Sequence, residues 1–244
     1  MKIMRKAFAS DFDSTLYFRE GFHQEDIKAI RKAQKEGVPF GICTGRSLHG
    51  VTVPSKDHIH YDFFIVATGS LIVDDKGKEI YSHTIAKKDV IAITNEYQNK
   101  YKIAYNGGYD FYSLSDEYEV VIQVKSLDEL PDEMHGISFL SESSDVADGI
   151  CNYLNKTYEV SAFHNGPFVD ITAKGCSKGI AIQFLKDYYH IDLIGGMGDS
   201  YNDLPLLEAV DCSYTFPSSP IELTSKVDKV TPGIASSLED FLQQ

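Results

Sequence analysis

Three things are scarce in this sequence of 244 residues, and each scarcity excludes something. Cysteine is the first. Cys43, Cys151, Cys176 and Cys212 stand apart, with no CxxC pair, which argues against a zinc knuckle or redox dithiol and fits buried small hydrophobes. Long apolar runs are the second. No stretch approaches the roughly 20 residues that cross a bilayer. The opening Met1-Lys2-Ile3-Met4-Arg5-Lys6-Ala7-Phe8 leads into a strand-like pattern without a signal-peptide core. A cytoplasmic protein with no membrane partner is expected. Positive charge is the third: 23 basic residues face 36 acidic ones, for a net charge of -13. Such a field repels polyanions, so nucleic acid is not expected as a partner. Any phosphate site must then be made positive locally, by a metal, a few cations and helix N-termini.

Several common motifs are also missing. Counted from Gly196, a GxGxxG pattern fails at Tyr201, and there is no GxxxxGK[ST] loop. A calcium loop starting at Asp11 needs Gly and Glu where the chain has Leu16 and Phe22. His23, His49, His58, His60 and His135 show no spacing that ties them to another metal ligand.

What is present is the composition of a globular protein, 43% hydrophobic and 24% charged, long enough for one large domain or two modest ones. Lys6–Ser10, Val38–Cys43 and Asp62–Ala67 read as strands. Gln24–Glu36 reads as a helix stopped by Gly37. Strands separated by helices imply right-handed βαβ units and a parallel sheet. Leu71–Asp74 and Glu79–Ser82 read as a hairpin across Asp75-Lys76-Gly77-Lys78. From about Thr84 to Phe168 the texture changes. Helices near Lys88–Asn99 and Val146–Tyr153 are interspersed with strands near Lys102–Tyr105, Asp110–Leu114, Glu119–Val124, Tyr158–Phe163 and Phe168–Thr172. Strands arriving in pairs suggest an inserted antiparallel module. Alternation then resumes with the helix Ser177–Tyr189, the strand Asp192–Gly195 and the helix Asp203–Val210. Short strands at Cys212–Phe216 and Lys229–Thr231 precede a last helix, Ile234–Leu242. The expected fold is α/β: a Rossmann-like parallel-sheet core (1–83 and 172–244) with an inserted α+β cap domain (84–171).

In open α/β sheets, ligands bind beyond the carboxyl ends of the strands. Four polar clusters fall at strand ends or helix starts: Asp11-Phe12-Asp13-Ser14-Thr15, Thr44-Gly45-Arg46, Ser177-Lys178-Gly179 and Gly198-Asp199-Ser200-Tyr201-Asn202-Asp203. Asp-x-Asp-x-Thr alone reads equally as a turn or helix N-cap. Asp11, Asp13, Asp199 and Asp203 gathered at one edge would repel unless a hard cation lay between them, and Mg²⁺ suits such oxygen ligands. Lys178 sits in the first turn of its helix, against the dipole. An anion or carboxylate nearby would relieve that conflict, and so would simple solvation. Thr44-Gly45-Arg46 puts a hydroxyl and backbone N–H groups where phosphate oxygens can be held. Asn106-Gly107-Gly108 and His164-Asn165-Gly166 read as ordinary loops, with a place facing the site as the other reading.

In this order the clusters resemble the motifs of the haloacid dehalogenase superfamily, and most closely its Cof-type phosphatases with a type C2 cap. DFDSTL is similar to the first motif, CTGR to the second, DITAKGCSKG to the third and GDSYNDLPLLEA to the fourth. The resemblance implies Asp11 as nucleophile and Mg²⁺ ligand, and Asp13 as general acid/base with its main-chain carbonyl on the metal. Thr44 and the Gly45 backbone would bind the phosphoryl group. Lys178 would bridge nucleophile and phosphoryl oxygens, Asp199 would complete the metal ligands, and Asn202 would contact phosphate. Asp203 would hold a metal-bound water or orient Lys178. Two places depart from the pattern: Thr68-Gly69-Ser70 replaces the usual Asn-Gly-Ala, and Tyr214-Thr215-Phe216-Pro217-Ser218-Ser219 replaces a small-residue turn.

The implied activity is that of a phosphoric monoester hydrolase. It would use Mg²⁺ and an aspartyl-phosphate to cleave a small phosphorylated metabolite: a sugar phosphate, a nucleotide or a phosphorylated cofactor. A phosphomutase of the same superfamily and a non-catalytic phosphate-ligand binding protein are the alternatives.

Overall fold

Alternation of small and large apolar residues in the first strand decides how the core is layered. In the computed structural model, which describes residues 4–115 and 121–244, Lys6–Ser10 is the central strand of an eight-stranded sheet. Ala7 and Ala9 point to one face and pack with Ile182, Leu185 and Leu206. Phe8 points to the other, where its ring lies 5.9 Å from Phe40 and 5.5 Å from Phe241. Both faces of the strand are buried, as a parallel sheet covered by helices requires.

Across the sheet the order is Lys229–Val230, Cys212–Thr215, Leu193–Met197, Lys6–Ser10, Phe40–Cys43, Phe63–Val66, Leu71–Asp74 and Glu79–Ser82. The first six run parallel, and the expected hairpin closes the edge antiparallel. Lys6–Ser10 has Leu193–Met197 on one side and Phe40–Cys43 on the other. The strand order reverses there, so a crevice opens at its carboxyl end. Asp11 is the next residue.

The inserted segment forms a second sheet of six strands in the order Ile122–Gln123, Phe111–Ser113, Ile103–Asn106, Gly136–Leu140, Phe168–Ala173 and Val160–Asn165. The expected strand at Glu119–Val124 falls partly outside the described residues, as does the start of the chain. One face of this sheet is apolar. Tyr105, Ile137, Phe139, Val169 and Ile171 pack with the helices Lys87–Tyr97 and Ser144–Thr157. The opposite face is turned to the carboxyl edge of the first sheet. Asn106 Nδ2 donates to the Gly45 carbonyl at 3.1 Å, and Leu48 and His49 N–H donate to the carbonyls of Gly108 and Tyr109 at 2.8 and 2.9 Å. The α/β core with an inserted α+β cap is therefore the fold observed. Among the described residues, no helix is long and apolar enough to cross a membrane.

Candidate active site

All four clusters meet at the crevice. The Asp11 N–H is tied to the Met197 carbonyl of the neighbouring strand at 2.9 Å, which leaves its side chain at the sheet edge, 5% exposed. Lys178 opens the helix Lys178–Tyr189, and the Ser177 side chain caps that helix by accepting from Ile180 N–H. Although 1% exposed, Lys178 is not uncompensated. Its Nζ donates to Asp11 Oδ1 at 2.6 Å and to Asp203 Oδ1 at 2.5 Å. Of the readings open for this lysine, nearby carboxylates are the one observed. Burial alone would push its ammonium down; Asp11 and Asp203 together overcome that and hold it above its ordinary value.

Asp203 is fully buried, and its second oxygen accepts from the N–H groups of Asp199 and Ser200 at 3.0 and 3.1 Å. It thus fixes both the lysine and the turn carrying Asp199. Close packing makes this possible: a Cβ on Gly179 would lie 2.4 Å from the Pro205 carbonyl oxygen. Only glycine lets the helix of Lys178 approach the turn of Asp203 so nearly. Asp199 is half-buried and accepts from Thr15 Oγ1 at 2.8 Å, which gives the last residue of Asp-x-Asp-x-Thr its place.

Oxygens of Asp11, Asp199 and Asp203 lie within 4.8 Å of one another. One buried ammonium cannot balance three carboxylates. Burial, then the Asp203 charge, pushes Asp11 well above the usual carboxylate range, and the same two causes raise Asp199 to about 6. A hard divalent cation prefers an all-oxygen donor set and would relieve this excess, so the residues fit Mg²⁺. Asp13 stands differently. Its exposed carboxylate turns to Arg46, which donates from Nε at 2.8 Å and from Nη2 at 2.6 Å. A metal role for Asp13 therefore rests on its main chain.

Thr44, Gly45, Asn202, Asp11, Asp13 and Asp199 line one cavity, and Lys178 and Asn202 line the adjoining one. Buried Thr44 ends the strand Phe40–Cys43, with its N–H on the Ile65 carbonyl. The Asn202 side chain accepts from Ser200 Oγ at 2.6 Å.

Arg46 is a site residue to which its motif alone assigns no role. Its guanidinium lies over Phe12, 4.8 Å from the ring centroid, and reaches the Gly50 carbonyl at 2.7 Å. The second sheet contributes Phe111, Ser138, Asn165 and Asp170 to the cavity wall. Of the two readings for the segments of Asn106 and Asn165, ordinary loops or a place facing the site, the second is nearer: both residues end strands and touch the core, Asn106 at Gly45 and Asn165 at Ser200 Oγ, 3.5 Å away.

The two departures from the usual pattern have structural uses. Ser70 is buried and donates both to the Ala67 carbonyl at 2.7 Å and to the His135 carbonyl of the second unit at 3.1 Å. Thr215 Oγ1 donates to the Gly198 carbonyl at 2.7 Å, bracing the turn before Asp199. Gly69, with φ of +92°, lies so close to the cap of the Lys178 helix that a Cβ would sit 2.3 Å from the Ser177 carbonyl oxygen. Gly69→Ala is therefore expected to cost about 2–4 kcal/mol in urea denaturation, through left-handed strain and displacement of Ser177. A loss below about 1 kcal/mol would count against that packing.

A profile of the haloacid dehalogenase-like hydrolases matches residues 8–236. The glucosyl-3-phosphoglycerate/mannosyl-3-phosphoglycerate phosphatase of Persephonella marina is 25% identical over 257 residues, covering 92% of this chain and 88% of that protein. Among solved structures, a haloacid dehalogenase-like hydrolase of B. subtilis superposes with a TM-score of 0.86 at 20% identity, over 96% of this chain and 98% of the other. A subclass IIB sugar phosphatase of the same superfamily superposes with a TM-score of 0.82 at 20% identity, over 97% and 98%. The expectation of a phosphoric monoester hydrolase agrees with these relatives. With the profile spanning nearly the whole chain and the four motifs gathered at one crevice, the chain belongs to the haloacid dehalogenase-like hydrolases.

Proposed function

We propose that this protein is a Mg²⁺-dependent phosphatase of small phosphomonoesters, sugar phosphates foremost, that works through an aspartyl-phosphate on Asp11. The observation that carries the reading is the buried Lys178, which grips Asp11 and Asp203 together beside the cavity lined by Thr44. Buried ion pairs are weak devices for stability. Set beside the cavities lined by Asp11, Thr44 and Lys178, this one makes sense as chemistry.

With Oδ1 of Asp11 held by Lys178, Oδ2 is the oxygen that attacks phosphorus in line. The bond to the leaving oxygen breaks, and protonated Asp13 gives its proton to that oxygen. Asp13 next takes a proton from the water that attacks the aspartyl-phosphate, releasing phosphate and regenerating Asp11. Arg46, seated on Phe12, pairs with the ionised Asp13 and keeps it at the cavity wall before substrate binds; that pair must open for the Asp13 carboxyl to carry the acid's proton. The Thr44 hydroxyl, the Gly45 N–H, the Asn202 amide and Lys178 bind phosphoryl oxygens, the main requirement of phosphoryl transfer. Asp11, Asp199 and the main-chain carbonyl of Asp13 would hold the metal, which when bound supplies positive charge to the phosphoryl oxygens.

The inserted unit (84–171) acts as a lid that selects substrate and excludes water, supported by the contacts of Asn106 and Asn165 with the core. A cytoplasmic location fits the four free cysteines.

The test is phosphate release from a panel of phosphomonoesters, with and without Mg²⁺. The expected result is turnover that chelation abolishes and Mg²⁺ restores, with a higher melting temperature when Mg²⁺ is added to stripped protein. Formation of an isomeric sugar phosphate without free phosphate would indicate a mutase. A panel that yields no phosphate in Mg²⁺ would end the reading.

A further inference from the structure

Strand alternation places one carboxylate of the inserted unit where a leaving group must lie. Val169 and Ile171 are buried in that unit's apolar core, so Asp170 between them points to the opposite face of the sheet. The register sets Ser138 on one side of it and Phe163 on the other. Ser138 Oγ donates to Asp170 Oδ1 at 2.6 Å. Ser138 and Asp170 line the cavity that also holds Asp11, Asp13 and Thr44. Asp170 is thus on the lid side of the same space whose floor is the nucleophile.

The charges around this space point one way. Asp11, Asp13, Asp199 and Asp170 all line it. Among the described residues lining it and the adjoining cavity, the lysine and arginine are Lys178 and Arg46. Lys178 is committed to Asp11 and Asp203, and Arg46 to Asp13. His164 in the adjoining cavity has Nδ1 3.2 Å from the Gly166 carbonyl and Nε2 3.7 Å from Asp148. The far end of the substrate therefore meets a carboxylate acceptor and no uncommitted cation among these groups.

We infer that Asp170, held in place by Ser138, selects phosphomonoesters of neutral polyhydroxy compounds and rejects those whose leaving group is itself anionic. Burial pushes the Asp170 carboxyl up, while the Ser138 hydroxyl and the Lys178 charge favour its ionised form. A carboxylate has two oxygens and room for about four hydrogen bonds, and Ser138 supplies one. Hydroxyls of a sugar or polyol can supply more. A carboxylate on the leaving group would instead face Asp170 with like charge and, among the lysine and arginine side chains of this space, no uncommitted cation, which is discrimination by repulsion as well as attraction. Asp170 is a specificity residue for the phosphatase reading above, on which this inference rests.

The experiment uses the full chain with Mg²⁺ and compares kcat/KM for hexose and glycerol phosphates with kcat/KM for phosphoglycolate and 3-phosphoglycerate. The wild type is expected to favour the neutral group. Asp170→Asn should lower the neutral-to-anionic ratio about 10–100-fold, because it removes both the charged acceptor and the repulsion. Ser138→Ala should move the ratio the same way by less, since it frees the carboxylate without removing it. A variant that merely folds poorly lowers all rates together and leaves the ratio in place. A wild-type preference for the anionic substrates, or a ratio that Asp170→Asn leaves unmoved, overturns the inference while the phosphatase reading stands. Absence of phosphate release from every substrate by the wild type overturns both.

Discussion

Asp11→Asn is expected to lower kcat by at least about 10⁴-fold while leaving the protein folded, since loss of a covalent nucleophile removes the reaction path rather than one contact on it. Asn keeps the size of Asp, and its amide oxygen can still accept from Lys178 Nζ, the partner that Asp11 has at 2.6 Å. The substitution also removes a negative charge that burial and Asp203 make costly. The melting temperature of the Mg²⁺-free variant should therefore equal or exceed that of the wild type. Two measurements check this: phosphate release under saturating substrate, and acid quenching with phosphate-labelled substrate, which should leave label on the wild type and none on the variant. Turnover within about tenfold of wild type would remove Asp11 from the nucleophile's role.

Lys178→Met is expected to damage both stability and rate. Methionine fills much of the space of lysine but leaves Asp11 and Asp203, 5% and 0% exposed, without their shared cation. Removing one partner of a buried ion pair typically costs about 3–5 kcal/mol, because the remaining charge can neither hydrate nor pair. The loss should be visible as an earlier urea midpoint. Activity should fall at least about 10²–10³-fold, since the lysine also stabilises charge on the phosphoryl oxygens. The double variant Lys178→Met with Asp203→Asn separates the two effects: it removes one stranded carboxylate and should recover part of the stability with none of the activity. If Lys178→Met kept wild-type stability, the ammonium would not be the counter-ion of this site. If it kept wild-type turnover, the phosphate-binding role would fall.

Local rules were enough for the parts of the fold where a residue's preference is settled by its chain neighbours. The hairpin Leu71–Asp74 and Glu79–Ser82 follows from two apolar runs around a polar turn, and it is observed at those bounds. The start of the helix at Lys178 follows from Ser177 as its cap, which the Ser177–Ile180 contact bears out. The helix Leu48–Ser55 is marked only weakly: a helix after Arg46 is possible from the sequence, and Ser47 caps it by accepting from Gly50 N–H, but its interior argues against it. Gly50, Val51, Thr52, Val53 and Pro54 are poor helix formers, and its first N–H groups are satisfied by Gly108 and Tyr109 of the inserted unit. No local signal marks a partner that far away in the chain.

The site divides along the same line. Residue type and spacing determined that the chain carries Asp11, Asp13, Thr44, Lys178, Asp199 and Asp203 at the ends of sheet strands or starts of helices, because periodicity locates those ends and the chemistry of each side chain travels with it. Only the tertiary structure decided which charges meet: that Lys178 donates to both Asp11 and Asp203, which the family resemblance implied but spacing alone did not, that Asp13 turns to Arg46, and that Asp170 lines the same cavity as the nucleophile. Coulomb interactions and hydrogen bonds depend on distance in space. Spacing along the chain reports that distance only within a helix turn or a strand pair, and these partners come together through sheet order and the packing of one unit on another.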